Sequence, residues 1–208
     1  MHPIAFHVFG HPIRWYGVMA ATGFLLAMGI WSFLARREGR RPGLGSDLAF
    51  WIMLGGIGGA RLAYVLTNWR RFAAAPASIL RVDQGGLIFY GGLIGAVLVV
   101  ILLARREKEP LWSMADFVVL PLPLGHALGR VGCFLNGCCF GTPTASFLGV
   151  NYPASSVPGE HYPGCTLHPV QLYEAGWNVL LFAGLCWWYS RKRRDGEVLG
   201  VYLLLYPL

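Results

Sequence analysis

Five stretches of this chain are apolar for long enough to cross a bilayer, and that constrains its fold more than any other feature. A hydrocarbon core of about 30 Å takes about 20 residues of helix. The stretches lie near Trp15–Ala35, Asp47–Thr67, Gly86–Ala104, Ser113–Phe134 and Val170–Ser190. Composition agrees: 55% of the residues are hydrophobic and 13% charged, against about 25% charged in soluble domains. The expectation is an all-α, polytopic transmembrane helix bundle forming a single integral membrane domain over residues 1–208. A sixth stretch begins near Leu199 and is still apolar at Leu208. Its short length predicts a truncated sixth span, hence a C-terminally short chain. The first fourteen residues hold three His, two Pro and one Arg, and no signal-peptide pattern, so the first span is expected to be retained.

The net charge of +7 does not point to nucleic acid, because the basic residues sit in short clusters between spans, as topology signals do. Arg36, Arg37, Arg40 and Arg41 follow the first span. Arg105, Arg106 and Lys108 follow the third, and Arg191, Lys192, Arg193 and Arg194 the fifth. Eleven of seventeen basic residues therefore fall on one side, the cytoplasmic one. The N-terminus is then outside, as is the segment from Gly137 to His168. That segment lacks Lys and Arg and is rich in Gly, Pro, Tyr and Ser, so it reads as an irregular outer-face loop. Asn68–Gln84 reads as a second outer loop, with a short interfacial helix over Trp69–Ala75.

Ionisable side chains inside a span cost about 2.5–3.5 kcal/mol each on insertion scales, so each needs a reason. Arg61, Asp116, Arg130 and Glu174 stand out, with His126 and His168 near them in depth. Internal pairing, for example Arg61 with Glu174, is the plain explanation. Two arginines toward the outer ends of spans two and four point instead to a shared anionic lipid headgroup. Glycines before Arg61 and through span three allow close approach of helices or of that headgroup. In span four, Pro121 and Pro123 should bend the helix and free carbonyls. His126, Arg130 and Cys133 then share one helical face, and a guanidinium can fork two hydrogen bonds onto a phosphate.

Five segments occur in one order: Arg14-Trp15-Tyr16-Gly17, Gly59-Ala60-Arg61-Leu62-Ala63-Tyr64, Tyr90-Gly91-Gly92-Leu93-Ile94-Gly95, Gly129-Arg130-Val131-Gly132-Cys133-Phe134-Leu135-Asn136-Gly137 and Leu167-His168-Pro169-Val170-Gln171-Leu172-Tyr173-Glu174. In this ordered set, which covers essentially the whole chain, the sequence resembles the prolipoprotein diacylglyceryl transferases. The resemblance implies a bacterial inner-membrane, multi-pass enzyme that acts with no cofactor. Its partners would be phosphatidylglycerol, the lipobox cysteine of a prolipoprotein and the surrounding membrane lipids. It would move the diacylglyceryl group to the cysteine thiol, form a thioether and release glycerol phosphate, the first step of lipoprotein maturation.

The resemblance also implies site residues. Arg130 matches the motif arginine that binds the lipid phosphate, and with Tyr90 and Tyr16 it makes the expected catalytic set. Arg61, Asn136, Gly141, Gly91 and Gly92 are expected to bind substrate, as are Glu174, His168 and Tyr206. Three positions depart from the family pattern. Tyr90 stands where a histidine, a proposed base, is common. A phenol of pKa about 10 accepts protons poorly near neutrality, so either Tyr90 orients substrate or His126 substitutes, off the motif. Cys133 replaces an asparagine, and Cys138 stands where an acidic residue is common. A further family arginine, expected a few residues after Tyr206, would fall beyond Leu208.

Cys133, Cys138, Cys139 and Cys165 cluster toward the outer side, where one disulfide, from Cys165 to Cys138 or Cys139, is the plain reading. No C-x-x-C pair exists, so a metal site with His161 and His168 is disfavoured and no metal is expected. Cys186 lies mid-span and is read as packing. The same cysteines define an alternative function, a membrane thiol oxidoreductase. Another is a non-catalytic protein that binds or transports anionic lipid along Arg61 and Arg130.

Overall fold

A computed structural model describes residues 3–81 and 85–206; the end of the second expected outer loop lies outside the described residues. Helix dominates. A hairpin of β1 (Ile4–Val8) and β2 (His11–Arg14) leads into α1 (Trp15–Arg37), α2 (Leu44–Thr67), the short α3 (Trp69–Ala74) and a 3-10 turn at Pro76–Leu80. Then come α4 (Phe89–Glu107), α5 (Leu111–Val119) and α6 (Leu122–Asn136). β3 (Val150–Asn151), α7 (Val157–His161) and β4 (Thr166–Leu167) precede α8 (Val170–Tyr189) and α9 (Glu197–Leu205).

Among the described residues, four helical runs are long and apolar enough to cross a membrane: α1, α2, α4 and Leu111–Asn136. The last is not one helix. It stops at Val119 and restarts at Leu122, with Pro121 as the cap of α6, as its prolines led us to expect. Helix α8 has 20 residues but carries Gln171, Glu174 and Asn178, and is not among the four. The sixth stretch forms the nine-residue α9.

The chain divides into two compact units, residues 30–118 and the remainder. In the 30–118 unit, α2 and α4 meet along a seam of glycines. A Cβ on Gly59 would come within 3.0 Å of Gly95 Cα, and one on Gly92 within 3.1 Å of Gly56 O. Backbones this close gain van der Waals contact that lipid tails cannot replace. Trp31 Nε1 donates to Val118 O at 3.2 Å beside the fully buried Leu44, Leu48, Met114 and Phe117. Asp116 is also fully buried, and engaged by neighbours. The basic turn after α1 is tied down rather than merely solvated. Arg40 pairs with Glu38 and Glu109 and lies over the Phe117 ring, and Arg41 pairs with Asp47 and Glu107.

In the other unit, the hairpin turns at Phe9 and Gly10, both with positive φ. Such turns match the twist of paired strands, yet the hairpin was not foreseen in the sequence. Helix α6 lies close against the first part of α1: a Cβ on Gly23 would meet Gly125 at 3.2 Å, and one on Gly132 would meet Tyr16 Cα at 3.1 Å. The expected irregular loop after Gly137 is more ordered than anticipated. Its last strand, Thr166–Leu167, pairs with Val150–Asn151 on one side. On the other side Thr144 N donates to Thr166 O at 2.9 Å and His168 N to Thr142 O at 3.0 Å.

Candidate active site

The charged residue at the centre of α6 is held by α8. Arg130 Nη2 lies 2.5 Å from Glu174 Oε2, with side chains 27% and 43% exposed, so the pair is reachable from outside. Arg130 Nε is buried and has no hydrogen-bond partner among the described residues, and neither has Asn136 Oδ1 at the end of the same helix. One turn before Arg130, His126 Nδ1 is 2.8 Å from the Tyr206 hydroxyl, with the rings edge to face. Residues 126 and 130 are i and i+4 on one helix. A cation, a carboxylate, an imidazole and a phenol thus converge on the α6 face that meets α8 and the end of α9.

Helix α8 supplies more than its sequence advertised. Gln171, Ala175, Asn178, Leu181 and Leu185 are its buried stripe, at the 3.6-residue period of a packed face. Asn178 Nδ2 donates to Glu174 O at 2.8 Å while its Oδ1 is buried without a partner among the described residues. Gln171 Nε2 donates to Cys138 O at 2.7 Å, and the Tyr152 hydroxyl approaches Gln171 Oε1 at 3.5 Å. Burial pushes the Tyr152 phenol above its ordinary range, so it stays a neutral donor. Neither Gln171 nor Asn178 was an expected site residue. The signal was there, as polar residues at i, i+3 and i+7 with Glu174. Gly141 N donates to His168 O at 3.0 Å, and a Cβ on Gly141 would press to 2.8 Å on that oxygen. His168 Nδ1 meets the Tyr173 hydroxyl at 3.1 Å. Tyr16, at the start of α1, is about half exposed.

The 30–118 unit holds the other expected residues. Arg61 is buried, and its guanidinium donates to the carbonyls of Ser78, Ile79, Arg81, Gly85 and Gly86 at 2.7–3.1 Å. A guanidinium has five N–H donors, and five carbonyls take them. The pairing of Arg61 with Glu174 is therefore corrected: Glu174 binds Arg130, and Arg61 binds backbone. Gly91 and Gly92 lie in the α2–α4 seam, where a Cβ would strike Gly59 O or Gly56 O. Tyr90, in the first turn of α4, is largely exposed beside Phe89. All five cysteines carry free thiols. The thiols that gather are those of Cys133, Cys138 and Cys139, without Cys165, which corrects the expected Cys165 bridge.

A sequence profile of the prolipoprotein diacylglyceryl transferase family matches residues 3–208. The chain belongs to this family. It is 39% identical over 202 residues to the phosphatidylglycerol–prolipoprotein diacylglyceryl transferase of Synechococcus elongatus, covering 94% of this chain and 70% of that one. It is 37% identical over 214 residues to that of Nitratidesulfovibrio vulgaris, covering 99% and 77%. The Bacillus cereus transferase is 37% identical over 206 residues, covering 95% and 74%. Within this diacylglyceryl transferase chain, the motif residues fall into two groups. Tyr16, Arg130, Asn136, Gly141, His168, Glu174 and Tyr206 belong to one compact unit, and Arg61, Tyr90, Gly91 and Gly92 to the other.

Proposed function

We propose that this protein transfers the diacylglyceryl group of phosphatidylglycerol to the lipobox cysteine of prolipoproteins. The observation that carries the reading is the family match along nearly the whole chain. In the reaction the cysteine sulfur bonds to the glyceryl carbon of the lipid as the bond from that carbon to the phosphate oxygen breaks. The electron pair leaves with glycerol phosphate, and the thiol proton passes to a base.

Arg130 is the group that binds and stabilises the departing phosphate. Its unpartnered Nε and its position beside a single carboxylate support this, because an aimed donor in a low-dielectric site is worth far more than in water. Glu174 holds the guanidinium in place. His126 is the proton acceptor, oriented by the Tyr206 hydroxyl, and it substitutes for the histidine that Tyr90 replaces. Tyr90 and Tyr16 orient substrate, as do Asn136, Gly141 and His168. Arg61 acts indirectly, by holding the backbone of residues 78–81 and 85–86 with all its donors, and Gly91 and Gly92 serve as scaffold. The protein spans the bacterial inner membrane, with α8 as a fifth span and α9 entering a sixth, and its N-terminus outside. The basic clusters after α1, α4 and α8 support that orientation.

Membranes containing the protein, given labelled phosphatidylglycerol and a lipobox peptide, test the reading. The expected product is lipid joined by thioether to the peptide cysteine. Lipid bound but never transferred would overturn it.

A further inference from the structure

The cysteines of the α6 terminus stand outside the transfer chemistry, and their geometry has its own logic. Gly137 caps α6 in the left-handed conformation (φ 73), and its N–H returns to Cys133 O and Phe134 O. That reversal lets Cys138 N donate to Cys133 O at 3.1 Å, with Cys138 Sγ 3.6 Å from the same oxygen. Cys139 then follows with φ 59, a left-handed conformation that strains a non-glycine residue. The sulfurs of Cys133, Cys138 and Cys139 come within 4.8 Å of one another. The turn is braced from behind by the fully buried Gln171, which holds the Cys138 carbonyl. Such outer contacts keep metal ligands oriented.

We propose that Cys133, Cys138 and Cys139 form a three-thiolate site for a soft d10 cation, with Zn2+ as the natural occupant. Zinc–sulfur bonds of about 2.3 Å set tetrahedral ligands about 3.8 Å apart, so a small closing movement makes the site. The exposed side at Cys139 leaves the fourth position to water. Three thiols lose three protons on binding, which makes affinity rise with pH. The ion ties the end of α6, one turn beyond Arg130, to the first residues of the following segment. The left-handed strain at Cys139 has a purpose in that arrangement, because it turns the third sulfur toward the other two. The site is independent of the transferase reading and stands or falls by metal binding alone.

The full chain, purified in detergent under reducing, oxygen-free conditions, is titrated with Cd2+ as a spectroscopic probe and with Zn2+ in competition. The expected result is one Cd2+ per chain with a thiolate-to-metal charge-transfer band, displaced by Zn2+. Cys139→Ser should weaken Cd2+ binding by more than about 100-fold, beyond the range of outer-contact changes. A Cys165→Ser/Cys186→Ser double variant should bind as the parent does. Cys139 is exposed, so its variant should fold; matching helical circular dichroism checks this. No charge-transfer band in the folded, reduced parent overturns the proposal. So does binding that survives in Cys138→Ser/Cys139→Ser, or a disulfide joining two of the three cysteines in protein alkylated as membranes are broken.

Discussion

Arg130 of α6 and Glu174 of α8 meet at 2.5 Å, and the guanidinium keeps one buried N–H without a partner among the described residues. An enclosed arginine would have little left for a phosphate; one gripped by Glu174 with its side chain still 27% exposed is positioned and within reach. Arg130→Ala should lower transfer by at least about 100-fold, the scale on which losing one aimed donor acts. Arg130→Lys should recover only part, since an ammonium cannot form the planar fork. Single-turnover transfer at saturating lipid measures both. Near-parental transfer by folded Arg130→Ala would remove Arg130 from the phosphate site.

Glu174→Gln separates holding from charge. The amide still accepts a hydrogen bond from Arg130, but the local charge rises by one. Lipid binding should tighten or hold while the rate falls severalfold, because the arginine is less firmly oriented. Comparing KM with kcat for phosphatidylglycerol checks this. A rise in KM without change in kcat would mean that Glu174 contacts lipid directly.

With His126 as the proposed proton acceptor, 2.8 Å from the Tyr206 hydroxyl, the transfer reaction should depend on pH. A neutral imidazole accepts a proton and an imidazolium does not, so the rate should climb as pH rises through the histidine's titration. His126→Ala should flatten that limb and reduce transfer by about 100-fold or more, within the usual range for a general base. Tyr206→Phe should keep the limb and lose less. An unchanged pH profile in His126→Ala would assign the proton to another group.

Much of this fold could be read from hydropathy alone. Helices α1, α2, α4 and α8 lie within three residues of the expected bounds, because long apolar runs without proline favour continuous helix. The break in the fourth span was legible in Pro121 and Pro123. The partners of Arg61 were not legible, because they are five backbone carbonyls, which carry no sequence signature. The cysteines were expected to cluster, but their grouping as three thiols without Cys165 was not legible. A search for C-x-x-C assumes a tight loop, whereas here a helix cap at Gly137 folds Cys138 and Cys139 back on Cys133. Glycines in α2 and α4 read correctly as close packing; their partners could be named only once Gly59 was set against Gly91 and Gly95.

The glycine seam makes a graded prediction. A side chain at Gly95 must enter the space of Gly59 Cα at 3.2 Å and of the Gly55 backbone. Gly58, one residue from the seam, has nothing within 4 Å of its Cβ position. Gly95→Val should destabilise the protein by about 1–3 kcal/mol, the cost of overpacking, and Gly58→Ala should be tolerated. Thermal unfolding in one detergent compares them. Equal stability for the two variants would show that the seam is not closely packed.

Gln171 tests the bracing of the segment after α6. Its side chain is fully buried and its amide is the donor to Cys138 O. Gln171→Leu keeps the volume and removes the donor to the Cys138 carbonyl together with the acceptor of the Tyr152 hydroxyl. Leaving a buried acceptor unmet costs about 1–3 kcal/mol. The loss should be local, because the helices do not depend on that bond. Amide hydrogen exchange should therefore quicken across residues 138–152, while α1, α2 and α4 exchange as in the parent. A uniform increase over the whole chain would mean that Gln171 supports the bundle rather than the turn. If exchange quickened nowhere, the Cys138 carbonyl would have another donor.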